Sequence, residues 1–224
     1  CPLTYTNDKS LEMLKRTVIK ELLSDGVAGN KALAKGWVRT KRGSKSVNFI
    51  ALNDGSTINN IQIVADVEKI GEDILKKIST GAALSVEGEL VESQGSGQSL
   101  ELIAETIVVL GEANPDEYPI QPKKHSMEFL RENAHLRMRT STFSAVMRIR
   151  HAMTYAIHTF FTKEGLYNLH TPIITSSDAE GAGEMFQVTA LDLNNPPKNE
   201  EGKIDFSQDF FARPTNLTVS GQLE

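Results

Sequence analysis

Arg42, Phe49 and Gln62 are the side chains in the first half of the sequence whose types suit a single-stranded nucleic acid. Such a strand is held by stacking a base on an aromatic face beside a cationic groove for the backbone. Its sequence is then read by hydrogen bonds to the exposed base edge. A guanidinium, a phenyl ring and a carboxamide supply those parts. Residue types alone leave a second and commoner arrangement open, with Phe49 in a core and Gln62 a plain outward polar residue. In the second half, Asp178-Ala179-Glu180-Gly181-Ala182-Gly183-Glu184 places three carboxylates around two glycines. Glycine lets the backbone approach a ligand closely, and a carboxylate there can bind an ammonium group. Without further context the same stretch reads as an acidic surface loop. Residues 215–224, containing Ser220-Gly221-Gln222, read either as a mobile lid or as a plain loop.

Other chemistries lack their residues. His135, His151, His158 and His170 do not have the spacing of metal ligands. There is no Gly-Lys-Ser/Thr phosphate loop and no nucleophile elbow. Ser144 and Cys1 have no evident activating partner.

The elements that must position these residues follow from periodicity. Leu11, Leu14, Val18, Ile19, Leu22 and Leu23 predict a helix over 11–23, stopped by Asp25-Gly26. Strand-like runs are predicted at 32–40, 47–52 and 58–64, the second ended by the tight-turn signal Asn53-Asp54-Gly55. Asp66 then caps a helix carrying Val67, Ile70, Ile74, Leu75 and Ile78. Two more strands are expected at 83–91 and 100–110. Three strands, a helix and two strands is the order of an oligonucleotide-binding barrel, although other small barrels share parts of it.

Residues 114–122 hold three prolines and no periodicity and read as a linker. A short helix is expected from about Met127 and a long one over 142–163, with an apolar stripe of Phe143, Val146, Met147, Met153, Ile157, Phe160 and Phe161. Residues 166–174 read as extended, and Pro172 confines that strand to an edge or marks where it leaves the sheet. The polar stretch 194–208 looks like an exposed insertion.

Bulk properties narrow the class. The 224 residues are 39% hydrophobic and 24% charged, ordinary for a soluble globular protein of one or two domains. No apolar run is long enough to span a bilayer. A single cysteine rules out an internal disulfide framework and fits a reducing cytoplasm. The net charge of −5 argues against a protein coated in nucleic acid but not against local basic patches. Two such patches occur. Lys31, Lys35, Arg39, Lys41, Arg42 and Lys45 fall in a stretch without acids, and Lys123, Lys124, Arg131, Arg137, Arg139, Arg148 and Arg150 form the second.

Taken together, these segments resemble the aspartyl/asparaginyl branch of class II aminoacyl-tRNA synthetases, over nearly everything after Ala32. Gly36-Trp37-Val38-Arg39-Thr40-Lys41-Arg42 looks like that family's barrel opening, and Phe49-Ile50-Ala51-Leu52-Asn53-Asp54-Gly55-Ser56 like its second strand and turn. The 142–163 helix with Gly165-Leu166-Tyr167-Asn168-Leu169-His170-Thr171-Pro172 looks like motif 1, and the 177–186 segment is closer to the asparaginyl form. The resemblance implies a five-stranded OB-fold anticodon-binding barrel followed by the start of an α+β catalytic domain, with an antiparallel sheet and the motif 1 helix. The expected division is 1–30 an N-terminal helical extension, 31–112 the barrel, 113–126 a linker and 127–224 a truncated catalytic domain.

By the same resemblance Phe49 stacks on the central anticodon base, a uridine, while Arg42 and Gln62 bond its edge. Glu180 holds the ammonium of asparagine, Gln222 sits on the loop closing over it, and the Pro172 strand with the motif 1 helix forms a homodimer interface. Partners are then tRNA(Asn) and asparagine, with ATP and Mg2+ as cofactors. Motifs 2 and 3, with their nucleotide-binding arginines, do not occur in the sequence, so no catalytic residue is assigned and the piece alone is expected to be inactive. An aspartyl-tRNA synthetase and a non-catalytic tRNA-binding module stay open as alternatives.

Overall fold

The computed structural model describes residues 14–95, 98–177 and 185–221. The chain divides into two units, Cys1–Met153 and Thr154–Glu224. In the first unit, period-2 alternation builds a closed five-stranded barrel in the order β1-β2-β3-β5-β4, from β1 (Lys31–Gly43), β2 (Val47–Asn53), β3 (Ile61–Asp66), β4 (Ala83–Glu92) and β5 (Leu100–Gly111). All ladders are antiparallel except β3 with β5, where Gln62 faces Glu101. Inward positions are filled by Ile50, Leu52, Ile61, Ile63, Leu84, Val86 and Leu102, all at 0% exposure. Each such aliphatic side chain contributes roughly 1.5–3 kcal/mol on burial.

The barrel ends are closed by short helices. Helix α1 (Ile19–Ser24) inserts Ile19 and Leu22 into the core. It is shorter than its apolar spacing predicts. Arg16 makes an isolated bridge with Leu33, and Thr17 N donates to Leu33 O at 3.0 Å, so the chain before it is extended. The helix start is fixed from a distance: Asp54 Oδ2 accepts from Ile19 N at 3.1 Å and pairs with Arg16 at 3.3 Å.

The helical stretch after β3 is two pieces, α2 (Val67–Ile70) and α3 (Glu72–Lys76), broken at Gly71 with φ of +90°. That left-handed conformation is open to glycine and interrupts the predicted single helix. Strand β3 starts three residues later than the run from Ile58 suggests, because the preceding backbone is bound elsewhere. Asn53 Nδ2 donates to Thr57 O (3.1 Å), Asn59 O (2.8 Å) and Asn60 Oδ1 (3.1 Å). At the irregularity between Glu87 and Gly88, a Cβ on Gly88 would lie 1.9 Å from Ile103 O, so only glycine allows the β4–β5 approach.

After the barrel, the proline-rich stretch is packed rather than free: Ile120 is buried with Leu130 of α4 (Met127–Glu132) and Phe143 of α5 (Ser141–Lys163). In the second unit, β6 (Ile174–Thr175), β7 (Gln187–Val188) and β8 (Thr215–Leu217) form a small antiparallel sheet with β8 central. Pro172 lies just before the edge strand β6, outside the ladder, and most of the predicted extended run 166–174 is not strand. The polar insertion carries an isolated bridge between Lys198 and Ile204. Asp209 staples its end to β7, accepting from Thr189 Oγ1 (2.6 Å), Ala190 N (2.9 Å) and Phe210 N (2.8 Å). Those donors hold the carboxyl below its usual range, the Thr189 hydroxyl contributing most.

Candidate nucleic-acid interface

Ile50 and Leu52 point inward from β2, so Phe49 and Ala51 point outward. The same alternation sends Gln62 outward between buried Ile61 and Ile63. Phe49 is half-buried on the outer face and is not part of the core cluster, which removes the reading of it as a core residue. The barrel register brings the three sequence candidates together: Arg42 faces Phe49 across β1–β2, and Ala51 beside it faces Gln62 across β2–β3. They line a groove of about 830 Å³ with Asn60, Ser93 and Glu101. The Arg42 guanidinium carbon is 5.9 Å from the Phe49 ring centroid, within cation–π range.

The polar groups of this face form a chain. Arg42 Nη2 donates to Gln62 Oε1 at 3.4 Å, and Gln62 Nε2 donates to Glu101 Oε1 at 2.9 Å. That carboxylate oxygen also accepts from Ser93 Oγ at 2.6 Å and Gln98 Nε2 at 3.3 Å. A carboxamide between a cation and an anion has one favourable orientation, with its oxygen toward Arg42 and its nitrogen toward Glu101. The face therefore presents a π surface, a guanidinium with spare donors, and a carbonyl oxygen of fixed direction.

Residue types alone did not single out Glu101, Ser93 or Gln98. Alternation of Leu100, Leu102 and Ala104 inward marks Glu101 as outward. Only the parallel β3–β5 pairing, between segments distant in sequence, sets it beside Gln62.

The first basic run does not act as one patch. Lys31 is paired with Glu105, and Lys41 Nζ bonds the Leu75 and Ile78 carbonyls at the end of α3. Burial lowers the Lys41 pKa from its ordinary value. Arg42 alone among these three faces the groove. Glu180 and Gln222 lie outside the described residues. Pro172 is exposed, as are Tyr155, Ile157 and Phe160 on α5, and these four belong to the second unit. Among the described residues, no three of His, Cys, Asp and Glu gather as a metal site. No helix among the described residues is long and apolar enough to cross a membrane.

Residues 33–110 match the family described as OB-fold nucleic acid binding domain, and residues 126–212 match tRNA synthetases class II (D, K and N). The chain is 60% identical over 213 residues to an asparagine--tRNA ligase of Cytophaga hutchinsonii, covering 94% of this chain and 46% of that one. It is 59% identical over 214 residues to the Parabacteroides distasonis protein of the same name, covering 96% and 46% respectively. The chain thus spans under half the length of these relatives. Among solved structures, asparaginyl-tRNA synthetase of Pyrococcus horikoshii bound to asparaginyl-adenylate superposes with a TM-score of 0.73 at 22% identity, over 94% of this chain and 44% of that chain. The Entamoeba histolytica asparaginyl-tRNA synthetase gives 0.69 at 21% identity, over 89% and 42%. With a five-stranded OB barrel followed by the start of a class II catalytic domain on one polypeptide, the chain belongs to the class II tRNA synthetases of the D, K and N group.

Proposed function

We propose that the protein of which this chain is part is an asparagine--tRNA ligase, activating asparagine with ATP and transferring it to tRNA(Asn). The observation that carries the barrel's share is the convergence of Arg42, Phe49 and Gln62 on one outward groove. The amino acid is supported by relatives of that name at 60% and 59% identity along both matched domains. In this reading residues 31–112 read the anticodon and residues from 127 onward begin the catalytic domain.

Uracil offers a carbonyl acceptor on either side of its N3–H donor. A base stacked on Phe49 would accept from Arg42 through a carbonyl and donate its N3–H to Gln62 Oε1. Cytosine reverses the donor at N3 and loses that bond, leaving the fixed Gln62 oxygen facing a lone pair. The Glu101 carboxylate would keep the carboxamide from flipping to suit it.

In the catalytic domain, Glu180 is assigned the asparagine ammonium, and Gln222 the loop that closes over the substrate. Pro172 and α5 are assigned a homodimer interface, for which the exposed apolar stripe on α5 supplies the surface. ATP and Mg2+ would provide the leaving group and its charge neutralisation. Among the described residues no three of His, Cys, Asp and Glu gather where a metal ion could be held. A cytoplasmic location follows from the role in translation.

The test is a titration of anticodon stem-loops that differ only in the central base, at one fixed salt concentration. Phe49→Ala should cost on the order of 1–3 kcal/mol and abolish the preference for uridine. Equal binding of all four loops by the unmodified chain would sink the anticodon reading.

A further inference from the structure

Strand β1 carries one residue more than β2 between Val38, which faces Leu52, and Thr40, which faces Ala51. Arg39 is that extra residue, and a bulge of this kind re-aims a side chain. It places Arg39 against the segment that follows the barrel. Two cavities of about 270 and 260 Å³ adjoin there, and Trp37, Arg39, Asn60, Arg139 and Ser141 line both. The Arg139 guanidinium carbon stands 4.3 Å from the Trp37 ring centroid. Burial lowers the Arg39 pKa; Tyr118 opposes the shift and Arg139 adds to it. Among the described residues neither arginine is in an ion pair.

Two neighbouring half-buried arginines repel each other and lose hydration without an anion between them. Their planar donor forks match phosphate oxygens, and Ser141 and Asn60 add neutral donors at the same walls. Asn60 also lines the Phe49 groove, so the two sites share a wall. We infer that Arg39 and Arg139 form a phosphodiester site for the backbone of the same RNA whose base is read at Phe49. This rests on the anticodon reading above. It extends that reading from the base to the strand's path across the junction between the barrel and the segment that follows it.

The experiment follows binding of full-length tRNA to this chain across a range of salt concentrations. Arg39→Gln, Arg139→Gln, Arg39→Lys and Phe49→Ala are compared with the unmodified chain. A separate arm titrates inorganic phosphate at constant ionic strength, reading the emission of Trp37, the only tryptophan in the sequence. Each Gln variant should lower the slope of log affinity against log salt by about 0.7 and weaken binding roughly fivefold at about 0.1 M salt. The preference for a central uridine should persist in both. Arg39→Lys should keep the slope, separating lost charge from lost fold. Phe49→Ala should do the reverse, losing base preference at unchanged slope. Slopes unchanged in both Gln variants would overturn the site. So would a Trp37 response to inorganic phosphate with an unaltered RNA slope, which would make this a free-anion site. Absence of any base preference with lowered Gln-variant slopes would instead remove the anticodon reading and leave the phosphate contacts standing.

Discussion

The two units bury their side chains very differently. In the barrel, Ile50, Leu52, Ile61, Ile63, Leu84 and Leu102 are all at 0% exposure. Among the described residues from Thr154 onward only Asp209 and Thr215 are buried, and both are polar. Large apolar side chains there are open to solvent, with Tyr155 at 70%, Phe160 at 58% and Phe210 at 81% exposure. Closure explains the contrast. A five-stranded barrel has no free edge and fills its own interior, whereas a small sheet beside a long helix needs further layers to cover its apolar faces. Along the apolar stripe of α5, Phe143 is buried, while Val146, Met153, Ile157, Phe160 and Phe161 are exposed. The barrel fills its own interior; the described part of the second unit leaves large apolar side chains at the surface.

The contrast can be broken or sharpened by substitution. The largest effect is expected from Leu102→Ala in the barrel, which should cost roughly 2–5 kcal/mol as a cavity mutation. Urea denaturation followed by Trp37 emission reads it. A midpoint unchanged from the parent would show that the core is not tightly packed.

A smaller effect is expected from Asp54→Asn, which weakens the tie between the β2–β3 turn and α1 by about 1 kcal/mol at neutral pH. Burial pushes the Asp54 carboxyl upward, but bonds from Ser56, Ile19 and Arg16 together hold it below its ordinary value of 3.8. Because the folded-state value is the depressed one, the stabilisation is full above the ordinary carboxylate pKa. It is lost as pH falls through the folded value. The parent should therefore lose stability in acid with an increment that Asp54→Asn lacks; identical acid profiles would exclude this tie.

The smallest effect belongs to the second unit: Phe160→Ser, at a side chain 58% exposed, should shift stability by no more than about 0.5 kcal/mol. A large loss would mean that α5 is already covered in solution, as in a dimer, and sedimentation of the parent and of Phe160→Ser would show it.

The order of the barrel strands was legible because Ile50, Leu52, Ile61 and Ile63 alternate with outward residues and Asn53-Asp54-Gly55 marks a turn. The start of β3 was not, because the Asn53 side chain binds the Thr57 and Asn59 carbonyls and the Asn60 side chain, which no periodicity records. Likewise Gly71 divides a helix that looks continuous by its apolar spacing. At the interface, Arg42, Phe49 and Gln62 were nameable by type, yet composition favoured a core Phe49 until register put it outside. Glu101 depends on pairing between distant segments, and the Arg39 bulge on the register across β1 and β2, neither of which residue type or alternation alone contains.

The way the barrel closes also bears on the order in which it is made. Strands β1, β2 and β3 form a simple meander whose outer edges, on β1 and β3, stay unpaired until one later hairpin arrives. That hairpin serves both: β4 pairs with β1, Lys31 facing Glu89, and β5 with β3, Gln62 facing Glu101. Neither edge can be satisfied by local sequence, so loop closure across these separations precedes any reward from the ladders. On a ribosome, the meander emerges with two open edges that are prone to pair with other chains. They remain so until synthesis has passed the end of β5 at Gly111.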